Sequence, residues 1–548
     1  DIVYGDVMLN FNYNINRFDI AATVGWTGRY ENMNNMRVST NGGLVTENWF
    51  DLNASRYTPS STLQRMELLK TGYMGTLSLG WDNYLFLELT GRQERSSTLK
   101  DQSFFYPSAN LSFLFTQAFH MPSWWNYGKL RLSYGIVGNA PETYTANIVY
   151  EQGSDNGFTW NTIPSSWGNA DIRPEKKYEY EIGLESKFLN NRLGIDVSYY
   201  NNRVKDQILS TPQPSTSGVK NVLMNVGEVA NHGWDISISA TPILTRDFRW
   251  DLTANYGVYK NKVVKLADGV PYLEILNSGG SGIKIQAVEG QPMGDIYAQV
   301  PQVNENGEYL VSDKGLYLNQ TELQKVGNIN PAGVGGLFNS FSYKNVFLDF
   351  SIDFRIGGDV INEMNQYATA VGLTPESLKY RDTEHGGLSY YYPGDNNSSG
   401  IPVQVDPSTG AGPNGEIIYH DGIILPGVVA STGERNTRII PAGYYYNTTY
   451  NWGTEAEQLT YRHSVFDNSY VKLRELTIGY QFPEKIISKL GLGRLSVSVF
   501  GRNLFYFYKA LKNYDAESSV GTSWANQATV GSSTTATRSF GVSLRASF

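Results

Sequence analysis

The chain has 548 residues, with 44 Lys plus Arg against 52 Asp plus Glu, a formal charge of -8 and no cysteine. A disulfide scaffold, a thiolate metal site, a cysteine nucleophile and an iron–sulfur centre are thereby excluded, and the lack of a basic block argues against a nucleic-acid partner. No run of 18 apolar residues exists, which excludes helical membrane spans but not strand spans, since a membrane strand needs only about 10 residues and turns only alternate ones to lipid.

The opening DIVYGDVMLN has no initiator Met, basic n-region or apolar h-region, so it reads either as a processed start or as a chain entered within its fold. Period-two alternation then predicts strands near residues 73–80, 85–91, 109–115, 130–136, 178–188, 193–200, 234–240 and 250–259, and on to the last residue. Leu348, Phe350, Ile352, Phe354 and Ile356 alternate with Asp349, Ser351, Asp353 and Arg355. Across residues 471–480 the phase slips at Arg474 and Glu475, which predicts a β-bulge. Leu495, Val497 and Val499 alternate with Ser496, Ser498 and Arg502. At the end, Phe540, Val542, Leu544, Ala546 and Phe548 oppose Ser539, Gly541, Ser543, Arg545 and Ser547, one face fit for lipid and the other wet. About fifteen strands are expected in all.

The connections alternate in length. Short ones are expected at 14–18, 82–83, 118–127, 189–192, 244–247, 344–345 and 482–493, and long ones at 30–65, 93–104, 139–177, 204–225, 263–335, 358–468 and 507–536. Short turns at one rim and long loops at the other predict an all-β fold, a transmembrane antiparallel β-barrel in the outer membrane with short periplasmic turns and long extracellular loops. Aromatics at strand ends (Phe119, Trp124, Trp125 and Tyr127; Phe505, Tyr506, Phe507 and Tyr508) fit interfacial girdles. If the last strand descends to the short-turn rim, the first also descends, so an odd number of strands is expected before Asp1. A soluble β-sandwich array or β-helix is the competing architecture.

Several segments carry a family resemblance. KLRLSYGIVGN (129–139), NADIRPEKKYEY (169–180), EGQPMGDIY (289–297), VGNINPAGVGGLFNSFSY (326–343), Gly357 to Asp359, LPGV (425–428), SYVKLRELTIGYQFP (469–483) and GRNLF (501–505) keep one order along the chain. Together they resemble the SusC/RagA-like TonB-dependent outer-membrane transporters. The resemblance implies a 22-stranded barrel of which residues 1–548 supply the C-terminal part, with plug domain, TonB box and first barrel strands lacking a counterpart here. It also implies TonB-driven import of a glycan or peptide-like oligomer, a SusD-like surface lipoprotein as lid, contact with TonB through the missing N-terminal region, and leaves room for a dimer of transporter–lipoprotein pairs in the outer-membrane lipid. A passive porin, a structural or adhesive barrel and a surface enzyme are the alternatives.

No catalytic pattern stands out. His120, His232, His385, His420 and His463 are scattered without an HExxH spacing, and Gly491, Gly493 and Ser496 precede a strand where a dinucleotide site needs a helix. Asp349, Asp353, Arg355, Arg502 and Arg545 are expected on the lumen face as hydrated wall residues. No cofactor is expected; Asp395, Asn396 and Asn397 lack the spacing of an EF-hand. The 358–468 loop carries Tyr390, Tyr391, Tyr392, Tyr444, Tyr445 and Trp452, and the 139–177 loop carries Trp160 and Trp167. These eight are the candidate substrate-binding residues, because flat rings stack on sugars or peptide side chains; packing of the loop upon itself is the other reading.

Overall fold

A computed structural model describes residues 1–547 apart from 101–102, 156, 214–215, 217, 279–281, 395–399, 452–459, 520, 522 and 532–535. Trp452, Phe548 and the Asp395, Asn396 and Asn397 triplet lie outside the described residues. Fifteen strands hydrogen-bond in chain order as one antiparallel sheet. They are β1 (Ile2–Ile15), β2 (Phe18–Leu44), β3 (Ser55–Trp81), β4 (Leu85–Ser96), β5 (Ser103–Phe113), β6 (Trp125–Asn139), β7 (Glu175–Phe188) and β8 (Leu193–Lys205). β9 (Glu228–Leu244), β10 (Phe248–Lys265), β11 (Gly333–Tyr343), β12 (Val346–Ile356), β13 (Tyr470–Gln481), β14 (Arg494–Lys509) and β15 (Ser539–Ser547) complete it. Among the described residues no helix is long and apolar enough to cross a membrane.

Four of the short turns are made with left-handed backbone, mostly at Asn and Asp. Asp82 and Asn83 both have positive φ (52° and 60°), the mirrored turn whose twist matches that of the strands it joins, and the Tyr84 amide closes it on the Trp81 carbonyl at 3.2 Å. Asn16, Asn190, Asn191 and Lys344 hold the same conformation at three further turns. At these ends the aromatics pack: Trp124 stacks with Trp125 at 6.0 Å and with Phe188 at 5.9 Å.

Two expected long loops are largely strand. β2 and β3 stay in register from Phe18↔Trp81 to Ser39↔Ser60 and, past two register shifts, pair on to Leu44↔Ser55, so most of the expected 30–65 loop is a paired hairpin. β4 and β5 likewise leave only residues 97–102 of the 93–104 loop. A strand needs about 10 residues to cross lipid, and β2 has 27. Beyond the hydrocarbon both faces meet water, so apolar alternation vanishes there while the ladder bonds and β-branched Val38, Thr40, Thr58 and Thr62 keep the chain extended. Pro59, which cannot donate to a ladder, falls where the register shifts.

The bulge in β13 is present. Glu475 opposes Ser351 and Leu473 opposes Ile352, leaving Arg474 as the extra residue; on the other side β14 contributes Asn503 (φ 53°) to the same irregularity. On β15, Phe540, Val542 and Leu544 are about 70% exposed, as an apolar face awaiting lipid would be.

The chain divides into two compact units, residues 1–236 with 260–271, and residues 237–259 with 272–548. In the first, long loops pack over a small core of Leu99, Phe104, Ala146 and Ile172. In the second, Ile283, Ile285, Ile296, Ala298, Ile329, Ile361, Val465, Ala525 and Ala528 form one buried cluster drawn from three connections rather than from the fifteen strands. A strand with one apolar face in lipid and one polar face has little left to bury, so the close-packed cores lie in the loops.

Replacing Leu544 by Arg should cost about 2 to 4 kcal/mol near the bilayer midplane, whereas Ser543→Asn on the opposite face should be mild. Folding titrations into phospholipid vesicles measure both; equal losses would refute the facing assignment.

Candidate functional site

In the second unit, residues 272–332 of one connection interlock with the connections 357–469 and 510–538 into a cap. Four short strands (Tyr272–Ser278, Ile283–Val288, Asp295–Ala298 and Gln324–Asn328) form its sheet, with Ile283 and Ile285 wholly buried on one face. Helix α1 (Glu363–Ala370) starts at Asn362, whose side chain accepts the Asn365 amide at 2.9 Å, satisfying one of the donors a helix start leaves unpaired. Helix α2 (Ala442–Tyr450) follows Pro441 and presents Tyr444, Tyr445, Tyr446 and Tyr450. Ile361 bridges Thr529, and the Asn468 side-chain amide donates to the Ala516 carbonyl at 2.9 Å, tying the last connection to the second.

The expected binding aromatics divide. Tyr390 is 1% exposed; its ring stacks on Tyr419 at 5.5 Å and its hydroxyl donates to Asp421 Oδ1 at 3.1 Å. Burial, reinforced by the Asp421 charge, pushes its ionisation far above the usual tyrosine range. Tyr445 is pushed up in the same way, by burial and then by Tyr450, which it meets edge-on at 6.1 Å. Both rings pack against other tyrosines of the loop, Tyr390 fully buried and Tyr445 half-buried. Tyr391 is half-buried. Trp160 is exposed, and Trp167 meets Tyr150 edge-on at 5.8 Å, both in the first unit, whereas the five described tyrosines lie in the second.

Tyr392 and Tyr444 do converge. They line a hollow of about 340 Å³ together with Lys314, Arg438, Ile439 and Pro441, and no carboxylate lines it among the described residues. Tyr444 packs at the edge of the buried Leu316, Ile423, Leu425 and Ile440 cluster, which fixes its ring. Two aromatic walls and two cations suit a ligand with a flat or apolar face and an acidic substituent.

The five expected wall residues share the polar face of their strands. Asp349 accepts from Ser340 at 2.6 Å and lines, with Arg545, Arg494 and Glu475, a second hollow of about 550 Å³. Arg502 pairs with Glu475 at 3.1 Å. Asp353 pairs with Arg474 at 2.6 Å, and Arg355 donates to the Ile329 and Gly357 carbonyls at 3.0 and 3.2 Å, holding the root of a cap loop. Sequence reasoning missed Lys472, Arg474 and Glu517. Lys472 is 1% exposed and its ammonium meets Glu517 Oε2 at 2.6 Å; Arg474 donates to both Glu517 oxygens at 2.8 and 2.7 Å. These bonds, Arg474 foremost, hold the Glu517 carboxyl down to about 2. The slipped phase at 471–480 marked the bulge, but nothing in the alternation told which loop carboxylate would meet it.

His463 stacks on Tyr450 at 4.4 Å, and burial, with Arg462 beside it, pushes its ionisation down to about 4. A histidine held neutral this way stabilises the fold fully above its ordinary value near 6.5 and loses that contribution as pH falls toward about 4. The urea midpoint for cap unfolding, followed by tyrosine fluorescence, should therefore fall across that window, and His463→Phe, which keeps a stacking ring, should flatten the fall. An unchanged slope in the variant would show that His463 is not responsible.

Residues 3–292 match the family model of the TonB dependent receptor-like β-barrel. TonB-dependent receptor P3 of Formosa agariphila is 24% identical over 494 residues, covering 82% of this chain and 42% of that protein. TonB-dependent receptor SusC of Bacteroides thetaiotaomicron is 30% identical over 247 residues, covering 41% of this chain and 24% of that one. The solved RagAB peptide transporter superposes with a TM-score of 0.68 at 18% identity, over 94% of this chain and 53% of that chain, a likeness of fold. The chain thus spans less than half the length of these curated relatives. With more than half of its residues matched and a fifteen-stranded antiparallel sheet of the same fold, the chain belongs to the TonB-dependent receptor β-barrel family, SusC/RagA-like, of the outer membrane.

Proposed function

We propose that this chain forms the barrel part of an active importer that takes an oligomeric nutrient, a glycan or a peptide, across the outer membrane with energy supplied through TonB. The observation that carries the reading is the asymmetry of the connections in the second unit. Those at one end of the strands are short, at most the twelve residues 482–493, while those at the other fold into a cap with its own apolar core and an aromatic, cationic hollow at Tyr392, Tyr444, Lys314 and Arg438. A diffusion pore has no need of such a recognition surface. The RagAB structure is of a peptide transporter, and the sequence resemblance to SusC/RagA-like proteins supports a SusD-like lipoprotein closing over the long loops. The chemistry asked of the chain is binding and release, with no covalent step.

Deleting residues 358–468 would also remove Ile361 and Val465 from the core shared by all three connections, so point substitutions are the cleaner probe. In cells carrying the complete gene, uptake of a labelled oligosaccharide or peptide ligand should stop when TonB is deleted; persistence would favour a passive pore. Combining Tyr444→Ala with Arg438→Ala should weaken ligand binding at least tenfold while heat-modifiable gel mobility, a measure of barrel folding, stays unchanged. Undiminished binding would move the site elsewhere.

A further inference from the structure

The connection between β14 and β15 lies docked against the polar face of β12 to β14 by an acidic tripeptide, Asp515-Ala516-Glu517. Each of its three residues has a separate partner. Tyr506 donates its hydroxyl to Asp515 Oδ1 at 2.9 Å, Asn468 donates to the Ala516 carbonyl at 2.9 Å, and Glu517 takes both Lys472 and Arg474. The wall is preset for this. Lys472 and Lys509 lie over the Tyr506 ring, at 4.7 and 5.3 Å from its centre, and the bulge aims Arg474 at Asp353 and Asn503, at 2.6 and 3.0 Å. Three cations on the strands thus face one strand carboxylate, and the tripeptide adds the two carboxylates that balance them.

The front of this arrangement is open. Arg474, Glu517 and Asp353 keep about a third of their side-chain surface exposed (30%, 32% and 38%), whereas Lys472 behind them keeps 2%. A buried ammonium needs an anion at that position, but the position itself does not require that the anion belong to this chain. Through Asn468 the wall also bonds the backbone of the segment it holds, a contact that a peptide offers and a bare ion does not.

We propose that Lys472, Arg474, Tyr506, Lys509 and Asn468 form a binding site for an acidic peptide segment, and that Asp515-Ala516-Glu517 is its built-in occupant, which an incoming acidic peptide displaces. The site is separate from the hollow at Tyr392 and Tyr444. It deepens the import reading by naming acidic peptides as cargo, and depends on that reading only for the source of the peptide, since binding to the purified chain does not involve TonB.

The test uses the full chain in detergent and two capped tripeptides, Asp-Ala-Glu and its neutral counterpart Asn-Ala-Gln. In the unaltered protein, Asp-Ala-Glu should speed hydrogen exchange at the Glu517 and Ser518 amides, both now bonded to Asp515, at least tenfold, and Asn-Ala-Gln should not. Glu517→Gln should raise that exchange without added peptide and bind Asp-Ala-Glu at least tenfold more tightly by calorimetry, because the competitor is weakened. Lys472→Gln, with barrel folding checked by gel mobility, should lose the preference for the acidic peptide. Equal effects of the two peptides, or no gain in affinity in Glu517→Gln, would overturn the proposal; loss of TonB-dependent uptake with peptide binding intact would leave it standing and count against the import reading alone.

Discussion

Backbone hydrogen bonding in lipid is the constraint from which the rest of this structure follows. A strand crossing hydrocarbon must give every N–H and C=O to a neighbouring strand, and its side chains then alternate between lipid and a polar side. The strands between β1 and β15, each bonded to a neighbour on both sides, meet the first demand, and the Asp349, Asp353, Arg502 and Arg545 face opposite Leu348, Phe350 and Leu544 meets the second. Neither side of such a sheet is a place to build a close-packed core. The apolar residues that would form one in a soluble protein have gone to the connections, where Ile283, Ile285, Ile296 and Ile361 are sealed from solvent. Burying side chains of this size stabilises by roughly 1.5 to 3 kcal/mol each, so the cap is held by the same force that holds a soluble domain.

That division explains what could be read from the sequence. Strand number and most turn positions were legible because lipid imposes period-two alternation and tight turns favour Asn, Asp or Gly, as at Asp82 and Asn83. The β2–β3 hairpin beyond Tyr30 was not, because in water on both faces a strand loses the pattern that announces it. Within the cap, a run of tyrosines is written identically whether the rings meet a ligand or one another. Tyr390 and Tyr392 stand two residues apart and both are buried against Tyr419, yet only Tyr392 also borders the hollow. Long-range partners carry no local trace: Glu517 lies more than forty residues from Arg474, and only the folded chain joins them.

The charged groups follow the same logic. On the polar face, ion pairs such as Arg502 with Glu475 are half open to water and individually worth little. Where Lys472 is sealed behind Tyr506, an anion becomes obligatory, and a loop carboxylate supplies it. Alternation sets where the strands run, but a slip in alternation at Arg474 sets where charge is concentrated.

A core assembled from positions 283 to 528 also has a kinetic meaning. Its members are far apart along the chain, and closing such long loops in an unfolded chain is entropically slow and costly. Strand pairing between neighbours is local by comparison, and each hairpin formed brings the loop roots closer. Arg355 holds Ile329 at the end of the first connection across the β11–β12 pair, and Ser469 accepts from the Gly357 amide across the β12–β13 pair, so each fastening needs its strand pair in place. Strand pairing therefore precedes closure of the cap, so the apolar core of the connections is completed on strands that are already paired.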